Sequence, residues 1–148
     1  MGINNKILLI TERQEQFDFA TSLLREVGYR PLVAASVSQG IRMAEAENPH
    51  LIISELAGPH IDGLELCRLV RSEPKLRSTP ILLVGDLDKD SSIVKDSRRC
   101  GASDYVQKPI EQGNLFDQCY RLIASNPRNF VHLRAEPLIY RRPEQLCI

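Results

Sequence analysis

The sequence lacks the features that mark several large classes of protein. Lys and Arg together number 19, as do Asp and Glu, so the 148 residues carry no net charge and no long-range attraction to nucleic acid or anionic lipid. No apolar run approaches the ~18 residues of a membrane-spanning helix, and the first residues lack the apolar stretch of a signal peptide. We therefore expect a cytoplasmic protein that binds neither nucleic acid nor membrane directly.

Cysteine and histidine are sparse, and their spacing argues against the common metal sites. The four cysteines form no Cys-x-x-Cys pair, and His50, His60 and His132 do not stand at ligand spacing from a cysteine or a carboxylate. We interpret the cysteines as free thiols in a reducing compartment and the histidines as surface or loop residues. No glycine-rich phosphate loop follows the first apolar run, which argues against a flavin- or nucleotide-binding protein.

What the sequence does contain is a regular alternation of short apolar runs and longer amphipathic ones. The short runs predict strands at residues 6–10, 31–35, 51–55, 80–84 and 104–107. The longer ones predict helices at 14–27, from 37 or 39 to 47, and at 63–72, 90–100 and 111–124. Strands that are apolar on both faces need helices on both sides. Residues 1–126 are therefore predicted to form an α/β fold with a doubly wound, five-stranded parallel sheet flanked by five helices.

Residues 127–148 depart from this pattern and are predicted to be a C-terminal extension or linker. Asn126-Pro127 stops the last helix. Six large apolar side chains on a free tail would leave a sticky patch, so we expect the segment to pack on its own domain or across a dimer. The alternatives are a mobile linker and the beginning of a further domain. These six are Phe130, Val131, Leu133, Leu138, Ile139 and Tyr140.

Polar and charged side chains gather where the predicted strands end. In an open parallel sheet, ligands bind beyond the carboxyl ends of the strands, at the point where the strand order reverses. Several acids and one lysine at such an edge suit a divalent cation together with a phosphoryl group. In chain order, the residues at these ends are Thr11, Glu12, Glu55, Gly85, Asp86 and Lys108.

Three motifs resemble the receiver domains of two-component signalling systems, of the chemotaxis response-regulator type. Pro49–Leu66 (PHLIISELAGPHIDGLEL) resembles the phosphoacceptor strand and loop, and Thr79–Val84 (TPILLV) resembles the fourth strand. Gly101–Pro109 (GASDYVQKP) resembles the segment that carries the family's lysine and cis proline. The resemblance covers about residues 5–125. It implies a flavodoxin-like signalling module rather than an enzyme, with a histidine kinase or an output domain as its partner.

The resemblance also implies that the phosphoacceptor chemistry has changed. Glu55 stands where the family has its phosphoacceptor aspartate, and its carboxylate lies one methylene further out; misplacement on the order of 1 Å can cost about a hundredfold in rate. Thr11-Glu12 replaces an acidic pair, which leaves Glu12 and Glu55 as the candidate metal ligands. Because Mg²⁺ demands near-octahedral oxygen ligation, we expect weak Mg²⁺ binding or none, and no other cofactor.

The remaining site positions leave alternatives open. Gly85 replaces the hydroxyl residue that closes on the phosphoryl group in the family, and Asp86 could be a metal ligand or a cap for the following helix. Lys108 is unchanged; an ion pair with Glu55 would either imitate the phosphorylated state or be purely structural. Tyr105 matches the family's switch aromatic, although it could equally be a fixed, half-buried strand residue.

These changes together predict a pseudo-receiver. Such a module would bind its partner without phosphorylation, through the face made by the fourth helix, fifth strand and fifth helix, and a homodimer is possible. The alternative is a working receiver that accepts a phosphoryl group from a histidine kinase with Mg²⁺. DNA binding would require an output domain, for which the chain is too short unless it is a fragment of a longer protein.

Overall fold

Five apolar strands pair in parallel in the computed structural model of this chain, which describes residues 5–126. The strands are β1 (Lys6–Ile10), β2 (Arg30–Ala34), β3 (Leu51–Glu55), β4 (Ile81–Gly85) and β5 (Asp104–Gln107). The helices are α1 (Gln14–Glu26), α2 (Val37–Glu47), α3 (Gly63–Ser72), α4 (Ser92–Cys100) and α5 (Gln112–Ser125). The sheet order β2-β1-β3-β4-β5 confirms the predicted doubly wound fold, and the order reverses between β1 and β3. The expectations for residues 127–148 lie outside the described residues.

Both faces of the sheet are buried because the central strands are apolar on both sides. Ile7 and Leu9 of β1 pack against the layer formed by α1 and α5, whereas Leu8 and Ile10 face α2, α3 and α4. All four side chains are fully buried, and each such burial is worth about 1.5–3 kcal/mol. Within residues 5–126, no helix is both long enough and apolar enough to cross a membrane.

The beginning of α4 differs from the prediction for a local reason. The helix begins at Ser92, two residues later than expected, because Ser91 is its N-cap and accepts a hydrogen bond from the Ile93 N–H at 3.2 Å. A side-chain cap of this kind fixes where a helix begins. The interpretation of Asp86 as the cap of this helix is therefore wrong.

The end of α1 also differs from the prediction. The sequence predicts a helix at 14–27, but α1 ends at Glu26 and the Val27 side chain is 49% exposed. Gly28 follows in the left-handed conformation (φ 99°), which is typical of a residue that ends a helix. Strands β2 and β4 are each displaced by one residue from their expected positions.

One interaction at the amino-terminal edge of the sheet had no signal in the sequence. The Arg71 guanidinium donates to the carbonyl of Gly101 at 2.7 and 3.0 Å, and to those of Thr79 at 2.6 Å and Arg77 at 2.9 Å. Partial burial lowers its pKa below the usual value. A Cβ at Gly101, where φ is 117°, would lie 2.6 Å from Arg71 Cγ. Arg71 therefore ties the loop before β4 to the loop before β5.

Replacing Arg71 tests this tie. Arg71→Lys should lower the free energy of unfolding by about 2–3 kcal/mol, because an ammonium group keeps the charge but cannot serve three carbonyls as a planar fork does. Urea denaturation measures the change. Arg68→Lys, at an exposed position of the same helix, is the matched control and should shift stability by no more than about 0.5 kcal/mol. Equal effects of the two substitutions would contradict the role of Arg71.

Candidate functional site

The reversal of strand order brings Thr11 and Glu55 together at the carboxyl edge of the sheet. Both side chains are buried, and Glu55 is only 6% exposed. The Thr11 hydroxyl donates a short hydrogen bond to Oε2 of Glu55 and accepts one from the Arg13 N–H at 3.2 Å. The carboxylate at the end of β3 is thus held by a neutral hydroxyl from the end of β1.

Glu12 fastens the loop that follows β3, residues 56–62. Its Oε2 accepts a hydrogen bond from the backbone N–H of His60, and its Oε1 lies 3.3 Å from the ring Nδ1 of the same residue. A Cβ at Gly58 would lie 3.0 Å from Glu12 Oε2 and 3.3 Å from Glu55 Oε1. The loop backbone therefore passes close to both carboxylates. His60 is an exposed loop histidine as predicted, but its carboxylate partner is 48 residues away and had no signal in the spacing.

The beginning of α3 fixes the other end of this loop. Oδ1 of Asp62 accepts hydrogen bonds from two N–H groups in the first turn of α3, at 3.0 and 3.2 Å. Gly63 packs so closely on the end of β3 that a Cβ there would lie 2.7 Å from the Leu56 carbonyl oxygen and 2.8 Å from that of Glu55. The Asp62-Gly63 pair therefore holds α3 tightly against the strand that carries Glu55.

The residues at this edge do not fit a magnesium ion. Glu12 accepts a hydrogen bond from His60, and Glu55 accepts one from the Thr11 hydroxyl, so both candidate ligands already have partners. Mg²⁺ binds several oxygen ligands in near-ideal octahedral geometry. Across residues 5–126, no three His, Cys, Asp or Glu side chains form a group that could hold a metal ion. Asp86 is exposed and belongs to no such group.

Lys108 lies at the same edge without pairing with Glu55. Its peptide bond to Pro109 is cis, which confirms the expectation from the resemblance, and its Nζ donates to Oε1 of Gln16 on α1 at 3.2 Å. Among the ion pairs of residues 5–126, none joins Lys108 to Glu55, so both interpretations of that pair are wrong. Lys108 instead borders a cleft of about 520 Å³ that it shares with Gln16 and Asp86.

Tyr105 is fixed beside Gly85. The side chain is 3% exposed, and its hydroxyl donates to the carbonyl of Leu87 at 2.6 Å. A Cβ at Gly85 would lie 3.1 Å from the Tyr105 hydroxyl oxygen. Burial is the main cause that raises the pKa of the Tyr105 phenol above its usual value. The residue is more deeply buried than the half-buried strand residue that was expected.

Comparison with known proteins adds to this geometry. Residues 7–120 match the family model described as "Response regulator receiver domain". The transcriptional regulatory protein AfsQ1 of Streptomyces coelicolor is 34% identical over 117 residues, which make up 78% of this chain and 50% of that protein. The chain therefore spans about half the length of that relative.

Solved structures share the fold, among them two receiver domains of histidine kinases. The signal receiver domain of a signal transduction histidine kinase from Syntrophus aciditrophicus is 31% identical, with a TM-score of 0.75 over 84% of this chain and 93% of that one. The receiver domain of the sensor histidine kinase PA1611 from Pseudomonas aeruginosa PAO1 is 25% identical, with a TM-score of 0.73 over 82% and 98% of the two chains. The latter structure has a magnesium ion coordinated in its active site cleft.

The bond between Thr11 and Glu55 can be tested by removing only the hydroxyl. Thr11→Val should lower the free energy of unfolding by about 1–3 kcal/mol, because the buried carboxylate loses a donor while the side-chain volume is kept. Thr21→Val is the matched control, since Thr21 is also buried but its hydroxyl donates within α1, to the Asp18 carbonyl at 3.0 Å. Urea denaturation measures the free energy of unfolding of both variants. A loss no larger than that of the control would show that the contact contributes nothing specific.

Proposed function

Since this chain belongs to the family of response regulator receiver domains, we propose that it serves a two-component signalling system as a binding module that needs no phosphorylation. It acts in the cytoplasm on a histidine kinase or an output domain and has no enzymatic activity of its own. The observation that carries the proposal is the hydrogen bond between Thr11 and Glu55. A buried neutral hydroxyl already occupies the carboxylate at the phosphoacceptor position.

Phosphoryl transfer to Glu55 is opposed by three features of its surroundings. A nucleophilic carboxylate must present a free oxygen in line with the phosphorus, and Glu55 is almost fully buried. The charge that develops on the phosphoryl oxygens must be neutralised by a cation. The candidate metal ligand Glu12 is hydrogen-bonded to His60 in the loop, and the Lys108 ammonium is hydrogen-bonded to Gln16. The longer glutamate side chain adds a displacement on the order of 1 Å, which alone can cost about a hundredfold in rate.

The signalling surface lacks a contact through which a phosphoryl group could switch it. A ligand shifts a conformational equilibrium only as far as it interacts differently with the two states. Gly85 has no hydroxyl that such a ligand could bind. The Tyr105 side chain is already buried, and its hydroxyl donates a hydrogen bond to the Leu87 carbonyl. We infer that the face made by α4, β5 and α5 is held in one state. The exposed apolar side chains of Leu87, before α4, and of Ile93, on α4, give a partner an apolar surface to bind.

Incubation with acetyl phosphate and Mg²⁺, followed by intact-mass measurement, tests the absence of phosphorylation. No phosphoryl group should be added. The PA1611 receiver domain, whose structure coordinates magnesium in its active site cleft, is a suitable positive control under the same conditions. An acid-labile gain of one phosphoryl group on this chain would instead support the working receiver.

Two variants separate the side-chain length from the deficit of metal ligands. Glu55→Asp alone should not restore phosphorylation, because Thr11 still leaves the cation site one carboxylate short. Combining Glu55→Asp with Thr11→Asp should restore measurable Mg²⁺ binding in isothermal titration calorimetry. If Glu55→Asp alone is phosphorylated readily, the explanation from the metal ligands is wrong.

The fixed position of Tyr105 can be tested through its ionisation. Because its folded-state pKa is raised, the fold holds the phenolic proton more tightly than the unfolded chain does. That contribution to stability is fully present below pH 10.0, the ordinary pKa of a tyrosine phenol, and is lost as the pH rises through the folded-state pKa. Gly85→Thr should push the Tyr105 side chain outward toward solvent, which relieves the burial that raises its pKa and lowers the pKa toward its usual value.

The near-ultraviolet absorbance of tyrosinate during a pH titration measures this shift, with Tyr105→Phe identifying the component that belongs to Tyr105. The same Gly85→Thr substitution should destabilise the fold by about 1–3 kcal/mol through overcrowding, since the new Cβ would also lie 3.1 Å from Leu56 Cβ. An unchanged titration of Tyr105 in Gly85→Thr would contradict the coupling between the two positions.

A further inference from the structure

The seam between α1 and α5 carries large apolar side chains that the described residues leave uncovered. We define this α1–α5 seam by Phe19 on α1, Val27 at the end of α1 and Tyr120 on α5, which are 57%, 49% and 58% exposed. Aromatic and branched side chains clustered in this way are uncommon on a surface that contacts only water. Helices α1 and α5 pack side by side on the same face of the sheet, so the three side chains belong to one surface.

The α1 side of the seam is turned toward α5. Phe19 borders the cleft formed with Pro109 and Ile110, the residues that lead into α5. Val27 comes eight residues later and lies within about 80° of Phe19 around the helix axis, since each residue turns the helix by about 100°. Both side chains therefore lie on the half of α1 that faces α5.

The α5 side of the seam is turned toward α1. Gln118 points the other way, because its amide donates to Oδ2 of Asp104 on β5 at 3.2 Å. Tyr120 is two residues further on and so lies about 160° from Gln118 around the helix. Its ring is therefore directed toward the side of α5 on which α1 lies.

The rim of the seam is acidic on the α1 side. Glu15 lies one helical turn before Phe19, and Glu26 is the last residue of α1; neither has an ion pair within residues 5–126. On the α5 side, Asp117 is paired with Arg121 at 3.2 Å. An occupant of this surface would therefore need apolar side chains interleaved with positive charge.

One part of this chain has that composition. Residues 127–148 hold four arginines and two glutamates, a net charge of +2, and since the whole chain is neutral, residues 1–126 carry −2. Within the segment, the run Phe130–Arg134 (FVHLR) places three large apolar side chains next to a cation, and Arg128 precedes it. The two parts of the chain are complementary in charge as well as in apolar surface.

The segment also begins close enough to reach the seam. Asn126 is buried at the end of α5, where its amide donates to the Ser78 carbonyl at 2.8 Å. Both α1 and α5 connect the carboxyl edge of the sheet to the amino-terminal edge, so Val27 and Asn126 lie at the same edge. An extended run of five residues spans about 16 Å, and the eight residues from Phe19 to Val27 span about 12 Å of helix.

We propose that residues 127–148 dock on the α1–α5 seam of their own chain, with Phe130–Arg134 lying along Val27, Phe19 and Tyr120. The arginines of the segment then face Glu15 and Glu26 at the rim. Docking would cover a surface other than the α4–β5–α5 face, so a partner could bind the domain while the segment stays in place. The proposal does not depend on whether Glu55 accepts a phosphoryl group.

Limited trypsin digestion of the full chain tests the docking. The measured quantity is the rate of cleavage after Arg134, followed by intact mass, in the wild type and in the Phe19→Ser/Tyr120→Ser double variant. Cleavage should be about tenfold or more faster in the variant, because the covering contacts are lost. Leu69→Ser is the matched control: Leu69 is an exposed apolar residue on α3, across the sheet, and its replacement should leave the rate unchanged.

A substitution within residues 127–148 provides a second test, because a folding defect in the double variant would also accelerate cleavage. Phe130→Ser leaves residues 5–126 intact and should accelerate cleavage after Arg134 in the same way. Equal, rapid cleavage in the wild type and all variants would overturn the proposal, since the segment would then be undocked. Protection that grows with protein concentration, together with a doubled mass in light scattering, would also overturn it in favour of a second copy of this chain.

Discussion

The burial of both faces of the sheet decides where chemistry can take place in this protein. The central strands are apolar throughout and covered by helices on each side, so their faces cannot present a polar group to a ligand. Polar side chains are left to the ends of the strands, and the reversal of order between β1 and β3 opens a crevice there. Thr11, Glu12 and Glu55 meet in that crevice because β1 and β3 are neighbours in the sheet.

Within the crevice, protein groups hold the carboxylates where a cation would otherwise be needed. An ionised carboxylate that is nearly buried requires hydrogen bonds or a counter-charge. Glu55 receives a bond from a hydroxyl, and Glu12 receives one from the backbone of the loop after β3. The bond from His60 to Glu12 holds the loop near the site, and a Cβ at Gly58 would lie close to both carboxylates. These same interactions are the ones on which the proposal of a phosphorylation-independent module rests.

The strands of the sheet can be predicted from the sequence because a buried strand requires a continuous run of apolar residues. An apolar run of five residues between turn signals is recognisable without its partners, and β1, β3 and β5 lie where they were expected. The contacts that were missed all depend on distant residues. Arg71 is joined to Gly101, 30 positions away, and Lys108 to Gln16, 92 positions away. No periodicity in the chain encodes such pairs.

The predicted ends of α1 and α4 were wrong because, at each end, two local sequence rules favoured different residues. Asp86 and Ser91 are both good helix caps, and the serine prevails because it stands immediately before the first helical residue. Val27 fits the apolar spacing of α1, but Gly28 ends the helix first and leaves the valine outside the core. That failure has a consequence, since Val27 then contributes to an apolar surface that the domain alone does not cover.

The close packing of Gly85 and Tyr105 keeps the aromatic ring inside the fold. To swing outward, Tyr105 would lose its bond to the Leu87 carbonyl, at a cost of about 0.5–1.5 kcal/mol, and would leave a void above Gly85. In this structure the ring lies inside, 3% exposed, with its hydroxyl 3.1 Å from the position that a Cβ of residue 85 would take. If the domain acts without phosphorylation, as proposed, a partner that recognises this arrangement binds without competing against a second conformation.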